Sequence, residues 1–226
     1  MTSAAATRTR ILAVFPAVAA VLLLVGEALT PKGLDHPISM ARAVKELPIA
    51  VAHSDRLYLS NLLVIFGLGA LGVSFAAIAL LVRERGATIA TVAAVVGGLA
   101  GFCGGLANVL IGYDLAAAAS ANTTPAGAEQ VLVSANRGWP FDVVFVGYLG
   151  GLAAATVLTA VALWRSPVVP RWLPVLFVLG VLLGALAPAG IVSIPLQLPI
   201  TIALTALAVR IWKTTTPPDP QPQTNS

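Results

Sequence analysis

The sequence predicts an all-α, polytopic integral membrane protein: a six-helix transmembrane bundle with N- and C-termini cytoplasmic. Three observations predict it. The 226 residues are 58% hydrophobic and 10% charged, with a mean hydropathy of +0.93, too little polar surface to cover a soluble domain of this length. Apolar runs recur near the ~20 residues that a hydrocarbon core of about 30 Å demands of a helix. They cover residues 11–29, 57–82, 87–111, 141–164, 172–187 and 191–212. The basic residues are distributed unevenly between the two sets of connections. The chain therefore divides into a cytoplasmic N-terminus at 1–10, a transmembrane domain at 11–212 and a disordered cytoplasmic tail at 213–226.

Run 11–29 opens behind Arg8 and Arg10 and closes on Gly26-Glu27-Ala28. A secretory signal with its cleavage site has the same outline. Retention is the reading adopted, because removal would leave five spans and disturb the charge asymmetry. Residues 30–56 are too many for a bare connection. Pro37 at a first helical position, then Ile38, Ala41, Val44 and Leu47 at three-residue spacing, predict a short amphipathic helix that Pro48 interrupts. Such a helix lies on the bilayer surface or caps the bundle.

Runs 57–82 and 87–111 contain no charge and are joined by the tight turn Arg83-Glu84-Arg85-Gly86. Within 87–111, Gly97, Gly101 and Gly105 share one face with Asn108 and Gly112, a flat seam that admits a neighbouring backbone. Gly147, Gly151 and Ala155 repeat the device in 141–164, and the two seams are candidates to pack on one another. Between these runs, Thr124-Pro125 has the form of a helix cap and first turn leading through Glu129 to Ala135. For both long loops the alternative is a surface loop with incidental helical turns. Arg165 to Arg171 connects 141–164 to 172–187, and Pro188-Ala189-Gly190 makes the last turn. In 191–212, Pro195 and Pro199 each remove a backbone donor, so carbonyls near Ile191 and Pro195 lose partners. The result is a kink, or a broken helix lining a cavity. The tail is Pro-, Thr- and Gln-rich with almost nothing apolar.

With the N-terminus inside, Arg8, Arg10, Arg83, Arg85, Arg165, Arg171, Arg210 and Lys213 are cytoplasmic, and Lys32, Arg42, Lys45, Arg56 and Arg137 are outside. Of the acids only Glu84 and Asp219 fall inside. The pI near 9.7 thus reports topology, and no nucleic-acid partner is expected. Cys103, the single cysteine, permits no disulfide framework within the chain. Asp35-His36 is too little for a metal site. P-loop, dinucleotide and nucleophile-elbow motifs are absent, so neither cofactor nor metal is expected.

Glu27 is the leading candidate for chemistry: an ionisable group near the end of an uncharged apolar run is a functional candidate by default. It lies about 24 Å along its helix from Ile11, in a C-terminal turn where the dipole disfavours an anion. It must find a partner, Arg137 or His53 by position, or keep its proton. Asp142 is the second candidate acid. Trp139, Phe141, Phe145 and Tyr148 surround it in sequence, with 141, 145 and 148 on one face. Asn108 reads first as an interhelical hydrogen-bonding group and second as a ligand contact. Asp35, Asp55 and Asp114 read as ordinary helix-end charges.

From Ala162 through Trp164-Arg165-Ser166-Pro167-Val168-Val169-Pro170-Arg171-Trp172 to Leu173, the chain resembles small six-helix actinobacterial membrane proteins of unknown function. A basic turn followed by Pro-Arg-Trp opens their fifth helix. The resemblance implies the fold and a multi-pass cell-membrane location. In size, helix number, and acidic and aromatic residues near helix ends, the chain is similar to bacterial membrane-bound terpene cyclases, though no catalytic residue is carried over. That similarity implies an enzyme that protonates a prenylated or other lipid-like substrate. Glu27 or Asp142 would be the acid, with Trp139, Phe141, Phe145, Tyr148, Asn108, His53 and Arg137 as substrate-binding residues. Two other classes fit the same residues. One is a non-catalytic membrane subunit, immunity or assembly protein with a membrane-protein partner. The other is a small-solute transporter or exporter.

Overall fold

The computed structural model describes residues 3–32, 40–82, 85–120, 124, 126–127, 130, 139–167, 169–187 and 190–215. Each of the six apolar runs is helical, and no strand occurs among the described residues. In chain order the helices are α1 (Ser3–Leu29), α2 (Met40–Ala52), α3 (Ser54–Ala79), α4 (Ala87–Ser120), α5 (Trp139–Arg165), α6 (Trp172–Leu186) and, after a 3₁₀ turn at Ile191–Ser193, α7 (Ile194–Thr215). By length and composition, α1, α3, α4, α5 and α7 are each able to cross a membrane. α6 has 15 residues, about 22 Å at the helical rise, and falls short of a full hydrocarbon core.

Successive long helices run antiparallel and close into a ring, α1–α3–α4–α5–α6–α7 and back to α1, with α3 also touching α5 and α7 across it. One end of the ring carries Arg8, Arg10, Arg85, Arg165, Arg171, Arg210 and Lys213, and is called the basic end below. The opposite end carries Glu27 and α2. Arg10 stacks over the Trp212 ring at 5.8 Å, so the first and last helices meet at the basic end. Arg171 stacks likewise on Trp164 at 6.0 Å.

The core lies mainly in the basic half. Phe75 of α3 and Phe177 of α6 meet edge to face across the ring, 6.1 Å between centroids, and Leu163, Leu173, Leu204, Leu207 and Ile211 fill the space around them. Outward, the helices present Val, Leu and Phe: Phe102 is 68% exposed and Val146 67%. An apolar exterior of this kind marks a surface covered by lipid or protein rather than water.

Several sequence expectations change. The glycine seams do not pack on one another. Gly97 lies under the Phe75 ring, and a Cβ at Gly101 would come 2.7 Å from the Gly72 Cα and the Leu68 oxygen, so this seam faces α3. Gly147 and Gly151 instead meet Cys103 and Ala100, on a different face of α4. α4 runs on to Ser120 rather than ending near Ile111, which places Asp114 inside a helix; the alanines at 116–119 are strong helix formers. α2 starts at Met40 and continues through Pro48 to Ala52; Pro37 and Ile38 lie outside the described residues. Leu47 and Ala50 are buried while Pro48 is exposed, so packing of the apolar face against α3 and α4 offsets the lost hydrogen bond. Pro195 stands in the first turn of α7, where its missing donor costs nothing, leaving Pro199 as the interior proline. Thr124 Oγ1 accepts from Gly127 N at 3.3 Å, as a cap would; Glu129 and residues 131–135 lie outside the described residues.

Two turns require glycine. Gly86, at φ +102°, enters α4, and Gly190, at φ +88°, turns the chain from α6 towards α7. A Cβ at Gly190 would lie 3.1 Å from the Thr30 carbonyl, so this turn docks on the segment that follows α1. That contact closes the ring at the Glu27 end.

Candidate functional site

At the Glu27 end α1 and α3 approach to backbone contact. A Cβ at Gly26 would lie 2.8 Å from Val64 Cγ2 and 3.1 Å from Val64 N, a separation only glycine permits. The closeness brings polar groups of both helices together in a buried network. Ser60 Oγ donates to the Gly26 carbonyl at 2.9 Å. Thr30 Oγ1 and Ser60 Oγ share a 2.7 Å hydrogen bond, and Thr30 Oγ1 also reaches Gly26 O at 3.2 Å. Arg56, from the first turn of α3, donates through Nε to Leu29 O at 2.6 Å and through a terminal nitrogen to Ala28 O at 3.2 Å. Its cation thus caps the carbonyl end of α1, the favourable sign for that end of the dipole.

Glu27 is embedded beside this cap and only 8% exposed. The phenol of Tyr148 lies within electrostatic reach of its carboxylate. That reach connects α1 to α5, which are not neighbours in the ring. Tyr148 packs closely on Gly104: a Cβ there would come 2.6 Å from the Tyr148 ring and 3.3 Å from Leu68. One turn further along α4, Asn108 Nδ2 donates to Gly104 O at 3.0 Å, while Asn61 Nδ2 of α3 donates to Asn108 O at 3.2 Å. The interhelical hydrogen bond expected of Asn108 is therefore made by its carbonyl, and its side chain serves its own helix.

α5 is the least enclosed of the long spans. On its inward face Ala155, Thr156, Thr159, Ala162 and Leu163 are buried, whereas Phe145, Tyr148 and Leu152 on the same face are half-buried. Protein encloses 17% of the α5 span, against 56% of the α3 span. The contact between α5 and α6 is the thinnest side of the ring. An apolar groove of about 450 Å³ runs along it, lined by Ala160, Val161 and Trp164 of α5 and by Pro174, Val178 and Leu182 of α6. This groove belongs to the basic half of the ring; Tyr148 lies further along α5, against Gly104 of α4.

The other candidates distribute as follows. Asp142 is exposed in the first turn of α5, where the helix dipole favours an anion. His53 is exposed in the junction between α2 and α3, its amide donating to Ile49 O at 3.1 Å. Trp139 and Phe141 belong to the start of α5, but their side chains, like all of Arg137, Asp35 and His36, lie outside the described residues. Among the described residues no group of His, Cys, Asp and Glu is arranged to hold a metal ion. Sequence reading missed Thr30, Arg56, Ser60 and Asn61. The signal was available: Ser60-Asn61 is a polar pair near the start of a run whose only other small polar residue is Ser74. No protein-family model, curated protein or solved structure matches the chain.

Proposed function

We propose that the chain is a six-crossing protein of the cell membrane, with both termini cytoplasmic, that protonates a prenylated or similar lipid-like substrate through Glu27. The observation that carries this reading is the burial of Glu27, within electrostatic reach of Tyr148, in a bundle whose exterior is apolar. A hydrophobic substrate reaches such a site from the bilayer without crossing water. Protonated Glu27 delivers its proton to an alkene carbon; a C–H bond forms and the π bond breaks, leaving a carbocation. The faces of Tyr148 and Phe145 stabilise that charge as aromatic rings stabilise other cations. Trp139 and Phe141, in the first turn of the same helix, are the further aromatic candidates by sequence. Ring closure and loss of a proton to the Glu27 carboxylate complete a cycle that needs neither cofactor nor metal. The exposed Asp142 suits a charged boundary group better than a sheltered proton donor.

The test is a membrane assay with prenylated substrates. Wild-type protein gives a cyclised or isomerised product, and Glu27→Gln lowers the rate at least ~100-fold, the usual scale for a general acid, with unchanged expression and melting temperature. Product formation untouched by Glu27→Gln would remove the mechanism. A non-catalytic subunit or assembly protein is the second reading, favoured by one observation: around Gly150 of α5 a Cβ would meet nothing within 4 Å, and Ala153 and Ala154 beside it are exposed. Small residues left open on a span accept a partner helix. Purification with one stoichiometric membrane partner, and no turnover, would favour it.

A further inference from the structure

We infer that the basic end of the molecule holds an anionic phospholipid in a groove between the start of α6 and the outer face of α7, a site separate from Glu27. The groove encloses about 790 Å³ and is lined by Trp172, Ile202, Thr205, Val209, Arg210 and Lys213, among others. Its walls are those of an acyl-chain seat. Ile202 and Val209 are half-exposed aliphatics. The threonine hydroxyls are turned back onto α7 itself, Thr205 Oγ1 to Thr201 O at 2.8 Å and Thr201 Oγ1 to Gln197 O at 2.9 Å. What remains to face the groove from these threonines is largely methyl.

The length fits one leaflet. From Thr201 to Lys213 the groove follows α7 for about 18 Å, close to half of a hydrocarbon core of roughly 30 Å. Arg210 and Lys213, one helical turn apart, stand at its basic-end mouth, where an acyl chain would give way to a headgroup. Trp172 stands at the same level, the depth at which tryptophan is enriched in membranes.

Charge selects the headgroup. Arg10, Arg165 and Arg171 share this end of the ring, whereas Glu27, Asp55 and Asp142 belong to the other. A zwitterionic headgroup gains little from such a field, whereas an anionic one gains from each nearby cation. The occupant is therefore a phospholipid with a net negative headgroup, held by apolar contact along α7 and by Arg210 and Lys213 at its phosphate.

The purified protein, in nanodiscs mixing phosphatidylglycerol with phosphatidylcholine, provides the test by native mass spectrometry of retained lipid. Phosphatidylglycerol is expected to be retained preferentially. The pair Arg210→Gln and Lys213→Gln together should cut that preference roughly 30-fold, the scale of two surface cations. Thr205→Trp, at an exposed position on the groove wall, should displace the lipid while leaving both charges in place. Circular dichroism and gel filtration establish that each variant is folded; a lipid preference absent from folded wild-type protein overturns the inference without reference to any variant. Equal retention of the two lipids, a preference that survives the double substitution, or competition by soluble glycerol phosphate as effective as by the lipid would each overturn it.

Discussion

Ser60 shows how much one hydroxyl can matter where no water competes. It is 2% exposed, bonds the Gly26 carbonyl at 2.9 Å and meets Thr30 Oγ1 at 2.7 Å, so it holds α1 to α3 where the backbones nearly touch. Ser60→Ala should lower stability by about 1 kcal/mol, the upper part of the range for such bonds between transmembrane helices. Denaturant unfolding in mixed micelles measures this, and an unchanged midpoint would mean the hydroxyl bonds contribute nothing net. Arg56 acts on the same helix end from outside, through the carbonyls of Ala28 and Leu29. Glu27 was legible from sequence because a carboxylate in an apolar run is rare and expensive. Its surroundings were not. Arg56, Ser60 and Asn61 follow Glu27 by about thirty positions, and Tyr148 is further still; only the α1–α3 and α4–α5 crossings bring them together. Sequence spacing holds no information about which turns of two helices meet.

Among the elements, the glycines sort into two physical classes. Gly101 belongs to the first: added atoms there would meet the Gly72 Cα and the Leu68 carbonyl at 2.7 Å, both backbone and unable to step aside. Gly101→Val should push α3 and α4 apart and cost about 1–3 kcal/mol, as overpacking does elsewhere. Gly98 belongs to the second, with nothing within 4 Å of its Cβ position. Gly98→Ala should be neutral or stabilising by up to about 1 kcal/mol, because alanine loses less entropy in a helix. Paired melting curves in detergent compare them, and equal effects would contradict the packing. The seam through Gly97, Gly101 and Gly105 was legible as a close approach, since four-residue spacing keeps glycines on one face. Its partner was not legible, because spacing alone pairs one glycine-bearing helix with another. α3 instead answers with Gly72 and the flat ring of Phe75, and α4 turns a second face, Ala100 and Cys103, to α5. Residue spacing defines a face; the topology of the ring decides what meets it.

At the scale of the whole molecule, the order and direction of the helices follow from how the ring closes. α6 is too short to be recognised by length alone, yet it returns the chain from Arg171 at the basic end to the Gly190 turn at the other, where Gly190 docks against Thr30. α7 then comes back to the basic end, and Arg10 over Trp212 places the first turns of α1 beside the last turns of α7 there. The last helix therefore shares an end with the first. The clustering of cations at that end makes it the cytoplasmic face in the proposed orientation. A library of single cysteines measures this directly in a Cys103→Ser background, since Cys103 is the only native thiol. His53→Cys and Thr88→Cys, both at exposed positions at opposite ends, should respond oppositely to a membrane-impermeant maleimide. The first should label in intact cells and the second only after permeabilisation. Lys213→Cys, near the end of α7, should behave like Thr88→Cys if α6 crosses with the others. Labelling of Lys213→Cys from outside, with Thr88→Cys protected, would mean that α6 re-enters without crossing and would remove the six-crossing topology. Reversal of all three would keep the ring and invert its orientation, placing Glu27 towards the cytoplasmic leaflet and changing which leaflet's lipids lie level with it.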